Sequence, residues 1–208
     1  MINLFDKKGN CHPRNHCYKV NDVQNGKLVK EIGFRPTGIA YDNDNDVFYL
    51  THIIKGDKKK GEKDKYVVSV FKLKEGHASP VNDRKNFDLK LSGLPGYVPQ
   101  GITYNEDKKT LYVALWEANG KVDGFDQKFT GPDNSLVVAY KVNVDKKGNF
   151  SFDKGEHIRF DHDKKNNTKF EIEGICFENN KGNTLYMAVN ADSVKNKNTD
   201  AIYNYEWK

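Results

Sequence analysis

The sequence predicts an all-β protein, a β-propeller-like stack of four-stranded antiparallel blades. Three observations predict it. One stretch recurs from Gly38, from Gly101 and from Gly174, each time as a short apolar run, a polar turn, and a second apolar run centred on Tyr49, Tyr112 or Tyr186. Recurrence of this kind marks a repeat architecture, and two strand-forming runs across an Asn/Asp/Gly turn make a β-hairpin. The chain also carries 12 Phe, 11 Tyr and 2 Trp, and aromatic residues favour a pleated, half-buried surface. Finally, no long segment repeats apolar residues at helical spacing, so helix content is expected to be small.

Within a blade the strands are termed A to D. Residues 16–20 and 27–32 alternate polar with apolar and are joined by a turn ending in Asn25-Gly26. That dipeptide is a strong hairpin signal. Residues 1–32 therefore read as strands C and D of a partial blade. Residues 33–92 read as a blade: the Gly38 hairpin supplies A and B, residues 66–73 supply C, and residues 86–91 supply D. Residues 96–163 repeat the plan, with C at 135–142 and D at 157–160. Residues 170–208 give A, B and C only, the last at 201–207. The whole of 1–208 reads as a single domain of about 3–4 blades, since each unit cannot bury its own faces. Either the N-terminal pair completes the last blade, closing a ring with both ends of the chain, or the ring is incomplete. An incomplete ring exposes an apolar blade face, with dimerisation or instability as the expected consequence.

Charge excludes some functions. The net charge is +5, but 34 basic residues are interleaved with 29 acidic ones. A nucleic-acid partner needs its basic residues gathered on one face, so none is expected. The Lys-rich stretch 55–65 is diluted by acids and reads as a solvated loop, with attraction to an anionic surface such as a cell wall as the alternative. A transmembrane helix needs roughly 20 apolar residues, and no run approaches that. No apolar core of a secretion signal is visible at the start. Cys176 sits in the apolar run Ile175-Cys176-Phe177 and is expected to be buried. Cys11 and Cys17 read as free thiols, with a local disulfide or a metal set with His12 and His16 as alternatives.

Strand direction alternates within a blade, so the B-to-C connections emerge on one face. These connections are long, at about 54–65, 117–134 and 191–200, and long loops on a rigid scaffold are the usual place for binding. The residues that enter A or leave B should line the mouth of that face. Those entering A are Arg35 with Thr37, Val98 with Gln100, and Glu171 with Glu173. Those leaving B are His52, Trp116 with Glu117, and Asn190 with Asp192. From these, the expected ligand-binding set is Arg35, His52, Gln100, Trp116, Glu117, Glu173 and Asn190. An aromatic platform beside hydrogen-bonding groups suits a polar ligand.

No catalytic signature is present: no nucleophile elbow, no Walker loop, no His-Glu-x-x-His. The turn from Asp42 to Asp46 has calcium-loop spacing at its start, but Val47 stands at position six and Ile53 at position twelve, so it reads as a solvated hairpin turn. No cofactor and no metal ligand are expected.

Several stretches carry a likeness. Residues 99–104, the strand 111–115, residues 173–177 and the ending 201–207 resemble the C-terminal propeller region of helveticin J-like proteins, a class III bacteriocin family. The resemblance spans about 34–208. It implies a secreted or cell-surface protein that acts by binding a bacterial cell-envelope component or carbohydrate, with no site residues to carry over. Residues 36–41 also resemble the repeat of gluconolactonase-type propellers, which implies as an alternative a metal-dependent hydrolase to which Glu173 and Asn190 would contribute. A shortened, inactive relative is the third reading.

Overall fold

The computed structural model describes residues 36–62, 64–74, 77–81, 86–89, 96–121, 128–162, 169–191 and 199–208. The N-terminal strand pair, Arg35, Cys11 and Cys17 lie outside the described residues. Within them the protein is all-β, with no α-helix and two short 3-10 turns. No helix among the described residues is long and apolar enough to cross a membrane.

Three antiparallel sheets follow one another along the chain. The first contains β1 (Pro36–Asp42), β2 (Val47–Ile54), β3 (Lys65–Lys74), β4 (His77–Pro80) and β5 (Asn86–Asp88). Its order is β1-β2-β3-β4, with β5 also pairing β3. The fourth position is thus split. β4 pairs the C-terminal half of β3, from Phe71 to Lys74, and β5 pairs residues Val67 to Ser69. The second sheet is β6 (Tyr97–Asn105), β7 (Thr110–Lys121), β8 (Lys128–Val144) and β9 (Phe150–Phe160), in chain order. The third is β10 (Glu171–Phe177), β11 (Thr184–Ala191) and β12 (Thr199–Glu206). The expected D strand at 157–160 is longer than foreseen. It begins at Phe150, whose alternation with Phe152 is the period-2 signal of a half-buried strand.

The sheets pack face to face through two apolar layers. Between the first and second lie Tyr49, Val68 and Val70 against Tyr104, Leu111, Val113, Leu136 and Tyr140. Between the second and third lie Tyr112, Ala114, Val137 and Ala139 against Ile172, Leu185, Met187, Val189 and Trp207. Side chains alternate faces along a strand. β7 therefore sends Leu111, Val113 and Leu115 one way and Tyr112 and Ala114 the other, which explains why this stretch reads as an unbroken apolar run. Aromatic rings seat the layers: Tyr49 and Tyr104 have centroids 5.3 Å apart, and Tyr112 and Trp207 4.7 Å.

The repeat tyrosines show the direction of stacking. Tyr49 points from the first sheet to the second, and Tyr112 from the second to the third; both are fully buried. Tyr186, at the matching place in β11, points away from the apolar layer because its neighbours Leu185 and Met187 fill it. It is half-buried and shares its face with exposed Cys176, Ala188 and Ile202. This corrects the expectation for Cys176. Ile175 and Phe177 take the core side, so the period-2 strand turns the thiol outward, where it is free.

The first strands of the sheets lie side by side: β1 packs against β6, and β6 against β10. Each of them breaks register at its repeat glycine, between Pro36 and Gly38, Pro99 and Ile102, and Ile172 and Gly174. A bulge at that point re-aims the residue before the glycine. Those residues are Thr37, Gln100 and Glu173.

Candidate functional site

The site is built where the second and third sheets meet, at the start of their first strands. Ser135 of β8 stitches the chain entering β10 to the second sheet. Its hydroxyl donates to the Phe170 carbonyl at 2.9 Å and accepts from the Ile172 N–H at 2.9 Å. The Phe170 N–H donates to the Asp133 carbonyl at 2.8 Å. With its backbone so fixed, Lys169 carries its ammonium over the Trp116 ring, 5.0 Å from the centroid. The same ammonium forms an ion pair with Glu171. The bulge in β6 turns Gln100 toward β10, and its amide donates to the other oxygen of Glu171. Asn190 lies directly opposite Glu171 across the β10–β11 ladder.

Burial sets the electrostatics. Glu171 is almost wholly buried, and burial raises its carboxyl pKa despite the opposing effect of Lys169; the fields of Glu173 and Asp133 push the same way. Asp133 is also raised by burial, with Asn119 and Lys169 opposing. Three polar atoms in this region are buried without a hydrogen-bond partner: the indole Nε1 of Trp116, the Oδ1 of Asn190 and the Oε2 of Glu117, the last of which has the Arg159 guanidinium as its ion-pair partner. A buried donor or acceptor left unpaired costs about 1–3 kcal/mol, so such atoms call for an explanation.

A second group borders the first. Arg159 of β9 forms an ion pair with Glu117 at 2.8 Å and with Asp161 at 2.7 Å. Asn134 donates to Asp161 at 2.8 Å, and its carbonyl accepts from the His162 backbone N–H at 3.0 Å.

The stretch 117–134, expected to be a loop, is largely strand. β7 runs on to Lys121 and β8 returns from Lys128, with a bulge between Glu117 and Asn119. Glycine is needed opposite that bulge. A Cβ on Gly131 would fall 2.5 Å from the Glu117 carbonyl oxygen and 2.6 Å from that of Ala118. Ala118 and Phe129 of this ribbon join Val98 in a small apolar cluster on which Trp116 rests.

Of the expected site residues, Gln100 and Trp116 come together with Asn190 around Glu171. Glu173 is exposed and acts on the site through its field. Glu117 lies one residue beyond Trp116 and is engaged by Arg159. His52 is buried in the first sheet, its Nε2 2.8 Å from the Ser69 hydroxyl, and burial lowers its pKa. Arg35 falls outside the described residues. Lys169 and Asp133 were not foreseen. Each is one charged residue among many in a polar connection, and the sequence holds no periodic signal to single them out.

Among the described residues no group of three or more His, Cys, Asp or Glu is arranged to hold a metal ion. The turn after β1 is a hairpin turn closed on itself: Asp42 accepts from the Asn45 N–H at 3.1 Å and from the Tyr49 hydroxyl at 2.5 Å. Comparison of the sequence with protein-family models and with curated proteins finds no match.

Proposed function

We propose that this is a binding protein of bacteriocin-like or cell-surface type. In this reading it acts on a bacterial cell-envelope component or carbohydrate through the site around Glu171. The observation that carries the reading is the pair of buried, unpaired polar atoms at Trp116 and Asn190. They stand in a network whose other members, Gln100, Lys169 and Glu171, are paired with one another. A bound polar ligand supplies the missing partners. The resemblance of residues 99–104, 111–115, 173–177 and 201–207 to helveticin J-like proteins supports the choice of a bacterial surface. In this reading the protein works outside the cell.

The stacking order supports a propeller-like arrangement. Tyr186 occupies the place that Tyr49 and Tyr112 fill in the two buried layers. The alternating stretches 16–20 and 27–32 have the pattern of two strands able to complete the third sheet. If they do not, that face is free to pair with a second copy, and light scattering on the full chain reports a dimer.

The test of function is binding to purified Gram-positive cell walls in a sedimentation assay. Wild-type protein should co-sediment, and Trp116→Ala should remain in the supernatant. No co-sedimentation of folded wild-type protein rejects the reading. Growth inhibition of related bacteria then separates an active bacteriocin from a shortened, inactive relative that still binds. The hydrolase alternative has no metal-holding group among the described residues to support it.

A further inference from the structure

We infer that the ligand of this site is an uncharged saccharide, and that anionic wall polymers are excluded from it. The inference rests on reading the Glu171 region as a binding site and names the ligand class. Its first ground is the chemistry of the two unpaired atoms. Trp116 Nε1 is a donor only and Asn190 Oδ1 is an acceptor. A ligand that satisfies both must accept one hydrogen bond and donate another, as hydroxyl and acetamido groups of a sugar do. A phosphate diester or carboxylate group by itself accepts only; a polymer such as poly(glycerol phosphate) also carries hydroxyls, and it is charge that excludes it.

The second ground is charge. The described residues in and beside the site hold two cations, Lys169 and Arg159, and five carboxyls, those of Glu117, Asp133, Asp161, Glu171 and Glu173. Lys169 is committed to Glu171, and Arg159 to Glu117 and Asp161. No cation among these is left to receive an anion, and an anion here would face surplus carboxylates, that of Glu171 almost wholly buried and those of Glu173 and Asp161 exposed. The third ground is the Trp116 ring. It is seated on Val98, Ala118 and Phe129, carries the Lys169 ammonium over its face and is partly exposed, which leaves apolar ring surface for a sugar to pack on although the N–H itself is buried.

The chain holds only two tryptophans, Trp116 and Trp207. The indole N–H resonances of uniformly 15N-labelled protein therefore report directly on the site, with buried Trp207 as an internal check on the fold. The probes are the N-acetylglucosamine trimer, neutral, and poly(glycerol phosphate), anionic. The expected result is a saturable shift of the Trp116 indole resonance with the trimer and none with the phosphate polymer. Trp116→Phe, which keeps a ring and removes the N–H, and Asn190→Ala should each weaken trimer binding about tenfold or more, read by calorimetry. A shift caused by the phosphate polymer overturns the inference, as does a silent indole with the trimer while cell walls still bind. In both cases the binding function stands and its ligand is different. Absence of wall binding rejects the function itself, so the two failures are distinguishable.

Discussion

Gly101 of β6 lies against Gly174 of β10 so closely that a Cβ on Gly101 would stand 2.9 Å from the Gly174 Cα and 3.2 Å from the Ile175 nitrogen. Two sheets meet here backbone to backbone. The contact sits beside the bulges that present Gln100 and Glu173, so the same glycines that close the sheets together also set the site.

Gly101→Ala is expected to destabilise the protein by about 1–3 kcal/mol, because the added methyl meets main chain that has no rotamer to give way. Gly174→Ala is the control. A Cβ there meets nothing within 4 Å, and the cost should be much smaller. Urea denaturation of both variants checks the pair; equal losses would refute the asymmetry.

Tyr49 is fully buried and donates to Asp42, whose side chain is also buried. Burial, with the Asp42 carboxylate, holds the phenol pKa far above its ordinary value, so the proton stays on the hydroxyl. Tyr49→Phe keeps the ring packing on Tyr104 and Phe152 and deprives the carboxylate of that donor. The expected loss is about 1–3 kcal/mol, measured by thermal or urea unfolding. A neutral result would mean that Asn45 alone satisfies Asp42.

Ser135→Ala removes one hydroxyl that serves two main-chain groups of the third sheet. The buried Ile172 N–H and the Phe170 carbonyl both lose a partner, for an expected cost of about 1–3 kcal/mol. The segment carrying Lys169 also loses its anchor over Trp116. Tryptophan fluorescence of the folded variant should therefore change, a readout that simple loss of stability would not move.

Glu171 gives a pH dependence of definite sign. Its native pKa lies above the ordinary 4.5. Between the two values the folded protein binds more protons than the unfolded chain, so stability falls as pH rises through that window. Glu171→Gln keeps an acceptor for Gln100 and Lys169 and has no proton to lose. Relative to that variant, the wild type should be most stable below about pH 4.5 and should lose the advantage as pH rises. Urea titrations of both proteins across acid to neutral pH check this; a relative gain with rising pH would show that the Lys169 ion pair outweighs burial.

Much of this was legible in the chain. The all-β class, the three glycine-led hairpins and their turns follow from period-2 alternation and turn residues, which act over a few neighbours. Gln100 and Trp116 were identifiable because the repeat places them at matching strand ends. Other features were not legible. The split fourth strand of the first sheet and the β7–β8 ribbon pair with strands near in sequence but lie in polar, turn-rich stretches with little apolar alternation, and the start of β9 is marked only by the short alternation of Phe150 with Phe152. Cys176 reads as core in one dimension, but its orientation follows from which face its neighbours fill. Lys169 is indistinguishable from the other lysines until Ser135 fixes the backbone before β10.

Local chemistry thus determined the all-β class and the three glycine-led hairpins with their turns, because side-chain alternation and turn geometry are short-range. Only the tertiary structure decided which faces are buried, which glycine is crowded, and which carboxylate receives Gln100 and Lys169. Those outcomes are set by contacts between sheets, where one strand's side chains become the environment of another's.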